Sequence, residues 1–163
     1  MFTVTKNGKP LDKSLYTIDE KTRTFSSTED ELNIETDEDG WKFRTDSCCT
    51  FRTSYGCTFT TGYYCTFTTG SDCTFDTGSD CTFTTGPGCT FDTYSYCTFK
   101  TGEECVCVRR DVYEVIEIPE GKRIKLNASE VKGFVYLEEE KTIEIEGKKF
   151  TVSQLKDFIA KAE

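Results

Sequence analysis

The chain has 163 residues, with 29 acidic against 20 basic side chains, a net charge of −9 and no histidine. No segment is basic, which argues against holding a nucleic-acid backbone, and the missing histidine removes the commonest general base and transition-metal ligand. No apolar run is long enough to cross a bilayer, and the opening MFTVTKNGKPLDK is too polar for a signal peptide. The expected location is therefore a reducing cytoplasm, with no membrane association and the ten cysteines held as thiols.

Residues 1–22 read as an N-terminal hairpin cap. Asn7-Gly8 marks the turn, with strands near residues 2–5 and 15–18, and the cap's expected task is to cover an open end of the repetitive segment beside it. That segment, residues 23–107, reads as a β-solenoid, with regular octads over 41–107. Cysteine recurs at every eighth residue: Cys49, Cys57, Cys65, Cys73, Cys81, Cys89, Cys97 and Cys105. Each of the first seven is followed two places on by phenylalanine, at Phe51, Phe59, Phe67, Phe75, Phe83, Phe91 and Phe99. A fixed short period means one structural unit stacked on itself.

Within the octad, Cys, Phe and Thr hold the first, third and fifth positions. Thr holds the second, and the fourth varies among polar residues such as Arg52, Asp76, Asp92 and Lys100. Alternation of constant and variable positions is the period-two signature of a half-buried strand, so Cys, Phe and Thr are expected to face inward as a core ladder. The sixth position is usually Gly, read here as the source of a positive φ in a three-residue corner. The expected fold is mainly β, a parallel solenoid of octapeptide strands. Two octads per coil are favoured because two opposed Phe rings fill the roughly 10 Å between facing sheets; three per coil, a triangular prism, is the alternative. Three upstream segments fit the strand template in disguise: residues 23–27, 32–36 and 41–45, with Trp41 in the cysteine slot.

After Cys107 the pattern changes to VYEVIEI, IKL, FVYLE and TIEIEGKKFTV. These read as short strands, the last a hairpin turning at Glu146-Gly147-Lys148. Ser153 is expected to cap a closing helix with Leu155, Phe158 and Ile159 in one apolar stripe. Residues 108–163 thus read as a small α+β cap or docking module that needs the solenoid end, or a partner, to complete its core.

The tandem CTFxTGxx octads resemble a repeat family of tailed phages and other large DNA viruses. The resemblance covers roughly residues 41–107, and CVCVRRDVYEVIEI with the IKLN and VKGF segments is similar to the stretch that closes such arrays. It implies a phage- or virus-derived structural protein and supplies no catalytic residues to carry over. A weaker resemblance is to the octads of ice-nucleation and antifreeze proteins. Thr58 with Thr60, Thr66 with Thr68 and Thr82 with Thr84 place two outward threonines on one strand, although Arg52, Asp76, Asp92 and Lys100 interrupt the array.

Metal ligation is disfavoured because the cysteines are spaced by seven residues along an inward face, and no cofactor or metal is expected. Adjacent-layer disulfides would be strained, because stacked Cβ atoms sit beyond the ideal separation. Asp76, Asp92, the DEDG corner and Glu138-Glu139-Glu140 read as solvated surface, and the Asn127-Ala128-Ser129 sequon carries meaning only on an exported chain. No nucleophile–base pair assembles, so an enzyme is not expected. The leading expectation is a structural rod acting as spacer or display surface, with the C-terminal module docking to a protein partner or virion component or mediating oligomerisation. The alternatives are an ice- or ordered-water-binding face and a module that reads a glycan or protein through its variable positions and corners.

Overall fold

The computed structural model describes residues 2–138, 141–145 and 148–160. Each regular octad contributes a short strand, Thr-Phe-x, and a corner that carries the chain to the other side of the rod. Successive strands therefore alternate between two sheets. Thr50–Arg52, Thr66–Thr68, Thr82–Thr84 and Thr98–Lys100 lie in the first sheet, and Thr58–Thr60, Thr74–Asp76 and Thr90–Thr93 in the second. Neighbours are parallel and in register, with Phe51 opposite Phe67 and Phe59 opposite Phe75. One coil is thus two octads, as the ring-filling argument favours.

The disguised octads belong to the array. Thr24–Ser27 and Lys42–Arg44 extend the second sheet, with Phe25 opposite Phe43, and Leu32–Glu35 extends the first, with Ile34 opposite Phe51. The result is a solenoid of about five turns, on the order of 24 Å long at roughly 4.8 Å per layer. Hydrogen bonds run along its axis through corners as well as strands. Thr74 N–H donates to Cys57 O at 2.9 Å, Thr53 N–H to Thr68 O at 3.0 Å and Gly56 N–H to Ser71 O at 2.9 Å.

The interior is the expected ladder. All seven octad phenylalanines are at most 1% exposed. From Phe43 to Phe99, rings stack along each sheet at 4.8–5.1 Å and meet rings of the opposite sheet edge-on at 4.8–5.6 Å. Stacked and edge-to-face are the two arrangements that the ring quadrupole favours. The cysteines form flanking columns, and each column ends on a bulkier apolar residue. Leu32 and Leu126 bracket Cys49 to Cys97 in the first sheet, and Trp41 and Ile118 bracket Cys57 to Cys105 in the second. Phe2 fills the N-terminal mouth, its ring edge-on to Trp41 at 4.4 Å.

Both ends are closed by antiparallel strands. Thr3–Lys6 turns at Asn7-Gly8 onto Lys9–Pro10, the expected hairpin, and lies antiparallel on Leu32–Glu35. The second strand of the cap does not belong to that hairpin: Tyr16–Asp19 crosses to the other sheet and lies antiparallel on Thr24–Ser27. The C-terminal end repeats the device. Glu114–Glu117 lies antiparallel on Val106–Arg109, Arg123–Leu126 on Thr98–Lys100, and Phe134–Tyr136 on Arg123–Leu126. Short outer strands carrying Pro10, Lys9, Glu114 and Glu117 oppose end-to-end pairing of rods.

This corrects the boundary read at residue 108. Ile116, Ile118, Ile124 and Leu126 are buried against the last Phe and Cys layer, so residues 108–137 continue the two sheets instead of forming a separate module. The hairpin of Thr142–Ile145 and Lys148–Thr151 forms its own two-stranded sheet and leads into the helix Val152–Ala160. The helix cap is Thr151, not Ser153: its hydroxyl accepts from Gln154 N–H at 3.1 Å while Gln154 Oε1 accepts from Thr151 N–H at 2.9 Å. Ser153 lies inside the helix. The hairpin tip at Glu146-Gly147, Glu139-Glu140 and the side chains of Leu155 and Phe158 lie outside the described residues.

Candidate functional site

A filled interior leaves the outer faces and corners as the chemistry the rod can offer. The corners obey a different rule from the one read off the sequence. Glycines at the sixth octad position do not have positive φ. They are there because the chain passes directly over the corner one coil below: a Cβ at Gly86 would stand 2.8 Å from Ser71 N, and one at Gly102 2.6 Å from Pro87 N. The left-handed residue is the eighth. Gly56 and Gly88 take it at φ +67° and +71°, and so do Cys48, Tyr64, Asp72, Asp80, Tyr96 and Glu104 at +57° to +62°.

The cysteine columns face these corners from inside. The Cys73 thiol donates towards Ser71 O at 3.5 Å in its own corner and Ser54 O at 3.7 Å in the corner one coil below. Cys65, Cys81, Cys89 and Cys105 repeat the pattern. A small side chain with a weak donor suits a slot between two carbonyls. All ten cysteines are free, and only Cys48 is exposed. Burial holds Cys105 and Cys107 above the ordinary thiol value, while contact between stacked thiols splits the columns, raising Cys73 and Cys81 and lowering Cys57, Cys65, Cys89 and Cys97. Raised values favour the protonated, weakly nucleophilic form. Among the described residues no group of three Cys, Asp or Glu converges as a metal site.

The outward threonines divide between two faces. On the first sheet Thr66 stacks on Thr82 and Thr68 on Thr84, with Arg52 and Lys100 closing the fourth-position column at either end. Thr58 and Thr60 lie on the opposite face, between Lys42-Arg44 and Thr74-Asp76. The six therefore do not form one surface. The core positions Cys49 to Phe99 are, by contrast, one continuous cluster.

Asp76 and Asp92 are directly opposite each other in register, an arrangement that like charges disfavour. Arg110 resolves it, reaching Asp76 at 2.7 Å and Asp92 at 2.8 Å while its guanidinium lies 4.6 Å over the Tyr94 ring. The two aspartates are thus paired and half-exposed, not simply solvated. Arg109 beside it is wholly buried in the fifth-position slot where the other coils carry Thr. It pairs with Asp111 at 2.5 Å and donates to Val131 O at 2.7 Å and Ala128 O at 3.2 Å, tying the 128–133 loop over the end of the stack. Asn127 of the sequon closes the same loop through Lys132 O at 2.8 Å. Aligning CVCVRR on the octad would have flagged both arginines, since they stand in the Thr and Gly slots.

No known protein family, curated protein or solved structure matches the chain. No helix among the described residues is long and apolar enough to cross a membrane.

The surface depressions are shallow. One lies at the N-terminal end of the second sheet, lined by hydroxyl side chains including Thr17, Ser26 and Thr60 together with Arg44. Another opens at one corner between Tyr63, Tyr94 and Arg110, floored by Gly62 and Gly78.

Proposed function

We propose that the chain is a non-enzymatic structural protein, of the phage or virus type that its octads resemble. The rod acts as a stiff spacer and display surface, and the hairpin and helix of residues 142–160 dock it to a protein partner in a larger assembly. The supporting observation is the division of chemistry between inside and outside. The interior is an unbroken Phe and Cys stack closed at both ends, while the variable fourth positions from Arg52 to Lys100 face outward. Such a stack resists bending because each layer is joined to the next by strand and corner hydrogen bonds together with ring stacking. Quantitative mass spectrometry of purified virus particles tests the reading. A fixed copy number per particle, lost when residues 141–163 are deleted, supports it; confinement of the intact chain to the soluble fraction overturns it.

A second reading is supported by the register of the first sheet, where Thr50, Thr66, Thr82 and Thr98 form one outward column beside Thr68 and Thr84. Ordered water could bind such an array. Thermal hysteresis or ice shaping by the purified protein supports this reading, and neither at high concentration sinks it.

A further inference from the structure

Four tyrosines ride one corner of the rod. Tyr63 and Tyr64 share one layer, Tyr94 and Tyr96 lie two layers further on, and Gly78-Ser79-Asp80 fills the layer between. Two layers separate the pairs by roughly 10 Å. All four are exposed, Tyr63 at 56%, Tyr64 at 64%, Tyr94 at 37% and Tyr96 at 42%, with Arg110 covering one face of Tyr94 at 4.6 Å and Lys125 one face of Tyr96 at 5.7 Å.

Tyr64 and Tyr96 hold the left-handed eighth position, at φ +58° and +62°. Equivalent positions elsewhere carry Gly40, Gly56, Gly88, Asp72 and Asp80, residues that take this conformation cheaply, and also Glu31, Cys48 and Glu104. A tyrosine there strains the backbone, and an exposed ring gains little core burial in return. The tyrosines thus make this corner an exposed aromatic surface. The neighbouring cleft, about 540 Å³, has the same character. Its walls are the Tyr63 and Tyr94 rings, and Asp76 and Ser79 supply hydroxyl-binding groups beside them. Arg110, the cation on its rim, is already held by Asp76 and Asp92.

We propose that this corner binds a neutral, linear glycan lying along the rod axis, with sugar rings seated on the tyrosine faces and hydroxyls bonded to Asp76, Ser79 and Asp80. Amphipathic rings beside acceptor-rich polar groups suit a ligand that is apolar on its faces and hydroxylated on its edges. The net charge of −9 disfavours an anionic polymer. Aromatic pairs repeated along an axis suit a ligand that itself repeats. Glycan binding at this corner is independent of how the rod is mounted, so failure to find the chain in particles leaves it standing.

The test is an array of immobilised cello-, chito- and manno-oligosaccharides probed with the intact chain, followed by calorimetry on the best ligand. At least one neutral glycan is expected to bind. Combined Tyr64→Gly and Tyr96→Gly should weaken binding about tenfold or more, with a melting temperature equal to or above the parent's, because glycine relieves the left-handed strain. Tyr55→Ala, on the opposite corner, should leave affinity unchanged. The proposal is overturned if no neutral glycan is retained, if the double variant binds as the parent does, or if Tyr55→Ala is equally damaging.

Discussion

Phe75 sits at the middle of the ladder, and its removal tests the idea that ring stacking holds the rod together. Its side chain is fully buried. It stacks between Phe59 at 4.9 Å and Phe91 at 4.8 Å, and meets Phe67 and Phe83 edge-on at 5.1 Å. Truncating a buried phenylalanine to alanine costs about 3–5 kcal/mol from lost transfer energy and the cavity left behind. Four aromatic neighbours, each contributing about 0.5–1.5 kcal/mol beyond area, put Phe75→Ala at the upper end of that range. Collapse is hindered because the hydrogen-bonded sheets hold the layers apart. Thr74→Ser, one residue away on the outside, should cost under about 0.5 kcal/mol. Urea unfolding read by far-ultraviolet circular dichroism and by Trp41 fluorescence measures both. Trp41 is buried at the N-terminal end, so a hole at mid-stack should also separate the two transitions, since each layer holds only its neighbours. Equal midpoints for Phe75→Ala and Thr74→Ser would refute the stacking argument.

Three further outcomes are expected. Arg109→Met should cost about 3–5 kcal/mol, because it leaves Asp111 and the 128–133 carbonyls without their buried partner; a thermal melt unchanged from the parent contradicts this. Gly102→Ala should cost about 1–3 kcal/mol by overpacking against Pro87, although its φ is ordinary, and denaturant titration reads it. Ellman's reagent should titrate one thiol, Cys48, in the native protein and ten in denaturant. Burial at the C-terminal end of the stack also sets an alkaline limit: Cys105 and Cys107 stay protonated in the fold above the ordinary value of 9.0, at which unfolded thiols ionise. The unfolded chain therefore binds fewer protons than the native one above that pH. Stability should be level up to near pH 9 and fall beyond it, and a midpoint that rises with alkalinity would contradict the burial.

The octad text by itself determined the coil. Period two within the strand and period eight along the chain leave one way to bury Phe, and ring size against sheet spacing favours two octads over three. The strands that hold Phe25, Leu32 and Trp41 were legible as disguised members because they keep the alternating strand template, although the corners before Leu32 and Trp41 are one residue longer than an octad's. What tertiary structure alone decided lies wherever distant layers meet. Glycine at the sixth position looked like a turn residue, yet its cause is a corner sixteen residues earlier passing within contact of where a Cβ would be. The closing strands read as a cap, but their own sequence carries no octad, and only the structure shows which sheet each one joins and that it does so antiparallel. The arginine that reconciles Asp76 with Asp92 comes from 34 and 18 residues away. The tyrosine corner likewise emerges only when octads two coils apart are brought onto one edge. Local pattern specifies a repeating unit; contacts between units, set by the roughly 4.8 Å layer spacing, specify its ends, its corners and its surface.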